Sequence, residues 1–456
     1  MHESVNELET AELPSLLRKF CIPALISSLV VSIYNIVDQI FVGNAVGELG
    51  NAATNVVYPS VTLITALSLM CGVGTSALMN LALGKGKKEQ AAEYAGNGFA
   101  LMVISGGVMM LALVLFTKPI LFLCGCTEEI WPYAAPYARI TALAFIFSMI
   151  GAAGPFVLRA DGAPKYALVC VIAGNALNAC LDAVLIFGLH LGMEGAAWAT
   201  VIGEGLSAFL VLRYLKQFRC CDLKKENFRP HGKTLAEIAG CGAGPAFNFM
   251  TQVFVQILIN NVLRFYGASS VYGAETVLAA VGVCNKVNTL SAAVVQGFTN
   301  GMQPIVSYNY GRKNYKRVKE TAVLVLKRIL QIGFLIFLLY QFFPVQILSF
   351  FGDGSEGYYE FGSMFFRIFY LLVTLNGLQS SVGGFFSAQG RPKMSMLISM
   401  LRQVILLPIC LLLLPSKFGI DGILWSGPAA DLGMAILAVL LLKKEFRRLS
   451  YLNGKA

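Results

Sequence analysis

Charge is scarce in this chain. Of its 456 residues 13% are Asp, Glu, Lys or Arg against 56% hydrophobic, and the mean hydropathy is +0.68, which excludes an ordinary soluble globule. Histidine is scarcer: His2, His190 and His231 have no metal-ligand spacing, so a zinc site or a histidine-based catalytic set lacks its residues. The eleven cysteines are scattered, odd in number and form no CxxC pair. That excludes a disulfide framework, leaving Cys124 and Cys126 placed to oxidise and small buried thiols as the default. His231-Gly-Lys-Thr234 imitates the end of a phosphate-binding loop, but Asn227 replaces its first glycine and Arg229-Pro230 fills its interior, so the motif fails. The N-terminus carries Glu3, Glu7, Glu9 and Glu12 where a signal peptide would be basic, and the first apolar run is expected to be retained.

What the chain has is apolar length. Twelve segments long enough to span a bilayer fall at about 15–42, 53–83, 91–117, 133–158, 164–188, 193–216, 236–265, 276–308, 318–343, 360–388, 392–414 and 421–443. Lys85, Lys87, Lys88, Arg159, Lys165, Arg213 to Lys233, Arg312 to Lys319, Arg391, Lys393 and Lys443 to Arg448 crowd alternate loops, while the intervening loops hold Lys118 and Lys417. By the positive-inside rule the basic loops and both termini face the cytoplasm of a cell inner or plasma membrane. The net charge of +10 then reflects topology and gives no reason to expect nucleic acid.

The chain also repeats itself at an offset of about 227 residues. Gly74 and Gly84-Lys85 correspond to Gly301 and Gly311-Arg312, Gly162-Ala-Pro164-Lys165 to Gly390-Arg-Pro392-Lys393, and Gly192, Trp198 and Glu204 to Gly419, Trp425 and Asp431. The expected fold is all-α and integral to the membrane, with two pseudo-symmetric six-helix bundles in a parallel repeat around a central cavity. Residues 1–216 form the first lobe, 217–235 a cytoplasmic linker and 236–456 the second lobe. Two like lobes around a cavity suit alternating access by rocking.

Within the apolar helices lie four acids, Asp38, Asp182, Glu204 and Asp431, and such residues are costly against lipid. Asn175, Asn178 and Asp182 fall on one helix face. Asp38 lies five residues before Gly43, Asp182 six before Gly188, and Thr200 seven after Met193. All three are then about 8 to 10 Å below the outer surface. Asn178 sits one turn deeper, Tyr34 and Asn35 share the face of Asp38, and Glu204 lies one turn below Thr200. Such a cluster suits either of two tasks. Two acids close together titrate as a coupled pair and carry a proton, or their oxygens ligate Na⁺, a hard cation. The repeat counterparts of Asn178 and Asp182, near Leu406 and Cys410, carry no acid, so the site is specialised in the first lobe. Pro23, on the helix of Asp38, removes a helical hydrogen bond and permits a bend. In the second lobe Lys286 and Arg402 read as buried cations. Asn285, Thr289, Gln296, Asn300 and Gln303, with Asn248, Gln252, Gln256 and Asn260, suggest a wet lumen, or else an inter-helix seam of amides.

Asn35-Ile-Val-Asp38-Gln-Ile-Phe-Val-Gly43, Arg159-Ala-Asp-Gly-Ala-Pro164, Asn178-Ala-Cys-Leu-Asp182 and Gly195-Ala-Ala-Trp-Ala-Thr200 resemble the multidrug and toxin extrusion (MATE) transporters over essentially the whole chain. The likeness is to the prokaryotic DinF-like and MepA-like branch. It implies twelve helices in two bundles and a first-lobe ion site of Asp38, Asn178, Asp182 and Thr200, with the helix-1 bend at Pro23. The NorM-like branch adds an acid in helix 7, where this chain has only Glu237, near the helix end. The implied activity is antiport of amphipathic, mostly cationic small molecules against H⁺ or Na⁺, without another cofactor, by a monomer in the bilayer. No enzymatic role is expected. A lipid-linked oligosaccharide flippase shares the two-bundle plan, but it would want several inward arginines for a diphosphate, whereas this chain places four acids in its helices. A channel fits poorly with an acid cluster in only one lobe.

Overall fold

The computed structural model describes residues 3–351 and 355–454, and side chains outside residues 3–6, 39, 40 and 42–52. His2 is outside the described residues, as are the side chains of Gln39, Ile40, Val42 and Gly43 in the first motif. Among the described residues eleven helices are long and apolar enough to cross a membrane, and a bent pair makes up to twelve. In chain order these are α1 (Leu13–Asp38), α2 (Ala53–Gly84), α3 (Lys88–Leu115), α4 (Trp131–Ala160), α5 (Pro164–Gly188), α6 (Gly192–Gln217), α7 (Gly232–Ala268), α8 (Ala274–Gly311), α9 (Tyr315–Phe342), α10 (Glu356–Phe369 with Val373–Ala388), α11 (Pro392–Phe418) and α12 (Ile420–Asn453).

The repeated glycine–proline motifs act as punctuation. Gly162 and Gly390 hold φ of 82° and 72°, a left-handed conformation glycine adopts without strain. Pro164 and Pro392 then open α5 and α11, where a missing N–H costs nothing. The tenth span departs from the single run expected at 360–388. It bends by 52° between Phe369 and Val373, after a π-helical turn over Phe365–Phe369. There the Phe365 and Phe369 rings stack at 4.4 Å. A π turn loosens the hydrogen-bond ladder and is a recognised cause of kinks.

α1 and α2 run antiparallel, since Cys21 and Val73 both meet α8, at Gly301 and Gln303. These two helices pack against α7 and α8 along a seam of glycines. A Cβ on Gly74 would lie 2.1 Å from the Ile238 carbonyl oxygen, and one on Gly242 would lie 1.9 Å from that of Met70. Gly297 and Gly301 meet Leu25 and Cys21, while Gly84 and Gly311 meet Tyr308 and Leu81. Gln303 donates to the Val73 carbonyl at 3.0 Å. Gln303 therefore belongs to this seam, the second of the two readings its polar stripe allowed. The seam occupies the end of the molecule where lysine and arginine crowd. The short N-terminal helix Glu3–Thr10 docks at the same end: Asn309 donates to the Leu8 carbonyl at 2.9 Å, and Arg312 meets Glu9 at 3.2 Å.

Three turns farther along α8, Lys286 is exposed on nearly the same face as Gly297. A face that is packed to the backbone at one depth and open at another makes the interface a wedge, closed at the basic end. The expectation of a buried Lys286 is thereby corrected. Gly242→Ala is expected to lower the thermal midpoint by several degrees, because overpacking against a backbone carbonyl costs about 1–3 kcal/mol. Gly240→Ala on the same helix meets nothing within 4 Å and is expected to leave the midpoint unchanged. Equal midpoints for the two variants would contradict a tight seam.

The segment after α6 is pinned down. The carboxylate of Asp161 accepts the Tyr214 hydroxyl at 2.8 Å and the backbone N–H groups of Arg219 and Cys220 at 2.9 and 2.8 Å. Burial pushes the Asp161 carboxyl up from its ordinary range, and these donors pull it back.

Candidate functional site

Regular α-helix in α5 extends to Asp182, so Gly174, Asn178 and Asp182 line up one turn apart on one face. That face meets α6 at backbone distance. A Cβ on Gly203 would lie 2.6 Å from the Asn178 Cβ and 2.8 Å from the Gly174 carbonyl oxygen. Asn178 and Asp182 are buried, Asp182 completely.

Among the described residues, neither carboxylate oxygen of Asp182, nor Oδ1 of Asn178, receives a hydrogen bond from an N–H or O–H group. What stands within hydrogen-bonding reach of the Asp182 carboxyl is the carboxyl of Asp38. Ionised carboxylates are acceptors only, and a buried charge without a partner is heavily penalised. Two such groups rest together when a proton or a cation lies between them. The free oxygens of Asp182 and Asn178, with the Asp38 carboxyl beside them, are hard donors suited to a small monovalent cation as well as to a proton.

Tyr34 feels the charges of Asp38, Asp182 and Glu204 together, so the four share one neighbourhood. Glu204 Oε2 and the Ser207 hydroxyl lie against Gly151 of α4, near 3 Å from where a Cβ would stand. Thr200 is half-buried and gives its hydroxyl proton to the Ala196 carbonyl of its own helix at 3.0 Å, which leaves its oxygen lone pairs and no spare proton. Asn175 likewise bonds back to Val171 at 2.7 Å, and Asn35 is exposed. α1 continues through Pro23, and Ser27 donates to the Pro23 carbonyl at 2.9 Å.

Two features of the neighbourhood have no counterpart in the sequence reading. Tyr137 of α4 lies within electrostatic range of both Asp38 and Asp182. Beyond the acids, away from the basic end, Phe41 and Phe187 meet edge to face at 5.9 Å. Phe41 and Phe187 stand three and five residues beyond Asp38 and Asp182 in the chain.

The second six helices arrange their polar groups differently. Arg402 of α11 donates through Nε to Asp431 of α12 at 2.8 Å, with the two side chains 12% and 4% exposed. The acid and the cation thus neutralise each other, as a largely buried pair must. Asn248 donates to Ser399 at 2.9 Å and accepts from Gln252 at 2.8 Å, tying α7 to α11. A cavity of about 40 Å³ opens beside Arg402, lined by Asn248, Gln252, Gln379 and Gln403, with room for a water or two. Gln256 bonds to Asn260 on its own helix at 2.9 Å, Thr289 and Gln296 are exposed, and Asn300 is half-buried. Amides bonded between helices and amides left exposed are both present.

The family model MatE matches residues 23–184 and 246–412. The multidrug export protein MepA of Staphylococcus aureus (strain MRSA252) is 23% identical over 435 residues, covering 93% of this chain and 92% of the relative. MepA of Staphylococcus haemolyticus is 22% identical, covering 98% and 97%. Among solved structures, that of the MATE multidrug transporter DinF-BH is 31% identical and superposes with a TM-score of 0.86 over 95% of this chain and 96% of that one. An outward-facing MATE family transporter of the MOP superfamily, 20% identical, superposes at 0.90 over 98% of each.

Proposed function

The chain belongs to the MatE family, and from that premise we propose that it is a secondary active multidrug exporter. It antiports amphipathic, cationic small molecules against H⁺ or Na⁺ by alternating access. The observation that carries the reading is Asp182, fully buried with no donor to either carboxylate oxygen among the described residues and with the half-buried Asp38 carboxyl beside it, which calls for a mobile positive charge. A stable core would have placed an arginine or lysine there, as it does beside Asp431. A replaceable proton or cation makes the pair a coupling site.

The same helix connects that site to the seam. Asp38 stands thirteen residues beyond Leu25 on α1, about 20 Å, and Leu25 packs directly on Gly297 of α8. With the positive charge between them, the acids draw α1 and α5 together. Without it, like charges repel at short range, and the change in α1 reaches the contact with α8. Binding of a cationic substrate near the acids competes with the ion, so each lowers the other's affinity by the same factor. Asn178 and Thr200 contribute oxygens to the ion site, Tyr34 and Glu204 shape its field, and the exposed Lys286 faces the wedge between the two halves. With the basic loops in the cytoplasm, the wedge opens outward and both termini are cytoplasmic.

Gradient-driven export from proteoliposomes tests the function. A cationic dye first equilibrated across the membrane is expected to be driven out, against the gradient its own export builds, when a pH or Na⁺ gradient is imposed, and the effective gradient names the ion. Transport that simply dissipates the dye gradient would indicate a channel. Indifference to dyes with tight binding of diphosphate-linked lipids would favour the flippase.

A further inference from the structure

At the basic end, a cavity of about 440 Å³ lies where the two halves meet, within the size range of small-molecule sites. Leu78, Leu81 and Lys85 enter it from α2 and its terminus, and Tyr310, Lys313 and Gln389 from the second half. The surround is basic: Arg448 donates to Tyr310, and the acids nearby are already held, Glu445 by Arg391 and Arg448 and Glu9 by Arg312.

Three observations single the cavity out. Gln389 is 3% exposed, yet among the described residues neither its amide oxygen nor its amide nitrogen has a partner, and an orphaned buried amide is costly. The internal repeat supplies the comparison, because the residue matching Gln389 is Asp161. Asp161 is filled by two backbone N–H groups and the Tyr214 hydroxyl. The first half thus closes this niche with its own chain, while the second half leaves Gln389 in the lining of a cavity, its amide atoms held just behind the wall. Lys313, moreover, holds a φ of 64° where its repeat counterpart, Gly86, holds 76°. A lysine in the left-handed region costs free energy that glycine would not, so the side chain is retained at a cost to the backbone.

We propose that this cavity binds a phosphate-bearing anion. Lys85 and Lys313 supply charge-assisted donors, and the amide of Gln389 supplies one further donor and an acceptor for a hydroxyl. A phosphodiester with a hydroxylated headgroup and a soluble phosphate ester share this chemistry. Because both halves build the site, it is complete only while the basic end is closed, and occupancy holds the molecule in that conformation. Placing it at the inner leaflet rests on the orientation proposed above, while the binding itself does not.

The test uses the full chain purified in detergent, with the thermal midpoint followed while phosphatidylglycerol or inorganic phosphate is titrated at constant ionic strength. Lys313→Gly relieves the strained backbone and Gln389→Leu removes an orphaned amide, so both variants are expected to fold at least as well as the parent. The parent midpoint is expected to rise saturably, with half-saturation shifted about tenfold higher in each variant, the loss of one charge-assisted contact. A response to the lipid alone identifies a lipid headgroup, and a response to phosphate alone identifies a soluble ester. Half-saturation unchanged in the variants, or no rise with either probe, overturns the proposal.

Discussion

Asp182→Asn abolishes gradient-driven export: efflux falls about a hundredfold, to the level of empty liposomes, while the protein stays folded in the membrane. The size follows from what the substitution removes. A coupling free energy of about 3 kcal/mol corresponds to roughly 150-fold in affinity, and all of it passes through a charge that Asn does not carry. Asn also satisfies itself where Asp does not, since its NH₂ donates to the Asp38 carboxylate. The variant is therefore expected to hold α1 against α5 permanently and to melt at or above the parent midpoint. Asp38→Asn is expected to behave in the same way, and the two together no worse than either alone, because they remove one shared ion. Additive losses would mean that the acids act separately. Activity retained by Asp182→Asn would move attention to the second half, where Asp431 and Lys286 remain.

The second large effect is on stability. Asp431→Ala strands the Arg402 guanidinium, only 12% exposed, and breaking a buried pair from one side costs about 3–5 kcal/mol. Replacing both partners, as Arg402→Met with Asp431→Leu, is expected to recover most of that loss, because the pair's desolvation is removed along with its attraction. Thermal melting of the two single variants and the double variant completes the cycle. A double variant as unstable as Asp431→Ala would show that the pair's shape, and not its charge balance, is needed. Export that survives in the double variant would assign the pair to structure, in contrast to Asp38 and Asp182.

Much of this arrangement was legible in the amino-acid sequence, for identifiable reasons. Asn178 and Asp182 were placed on one face because α5 keeps the 3.6-residue period up to Asp182. Immediately afterwards Ala183–Gly188 turns π-helical, and the wider turn rotates everything beyond it. Phe187 was therefore invisible as a partner of Phe41. Tyr137 was missed because periodicity orders residues along one helix and says nothing about which face of α4 meets α1 and α5. The bend in α10 had no proline or glycine between Phe365 and Val373 to announce it. Lys286 read as buried because a lysine in an apolar run is costly against lipid. The wedge that exposes it arises from packing between α1 and α8, which no single segment encodes. Gln303 shares a stripe with Asn300, yet a tight glycine seam made it an inter-helix donor. Asp161 was read only as part of the motif Arg159 to Pro164 that carries the family resemblance, because its three donors come from more than fifty residues away.

The central claim is that substrate and coupling ion contend for the Asp38–Asp182 site. Equilibrium binding of a fluorescent cationic dye to the purified protein, titrated against Na⁺ at fixed pH and against pH at fixed Na⁺, measures this directly. The account predicts that one of the two ions weakens dye binding progressively, that saturating dye weakens that ion by the same factor, and that both effects vanish in Asp182→Asn. Dye affinity indifferent to both ions, or an ion effect that persists unchanged in Asp182→Asn, would contradict it.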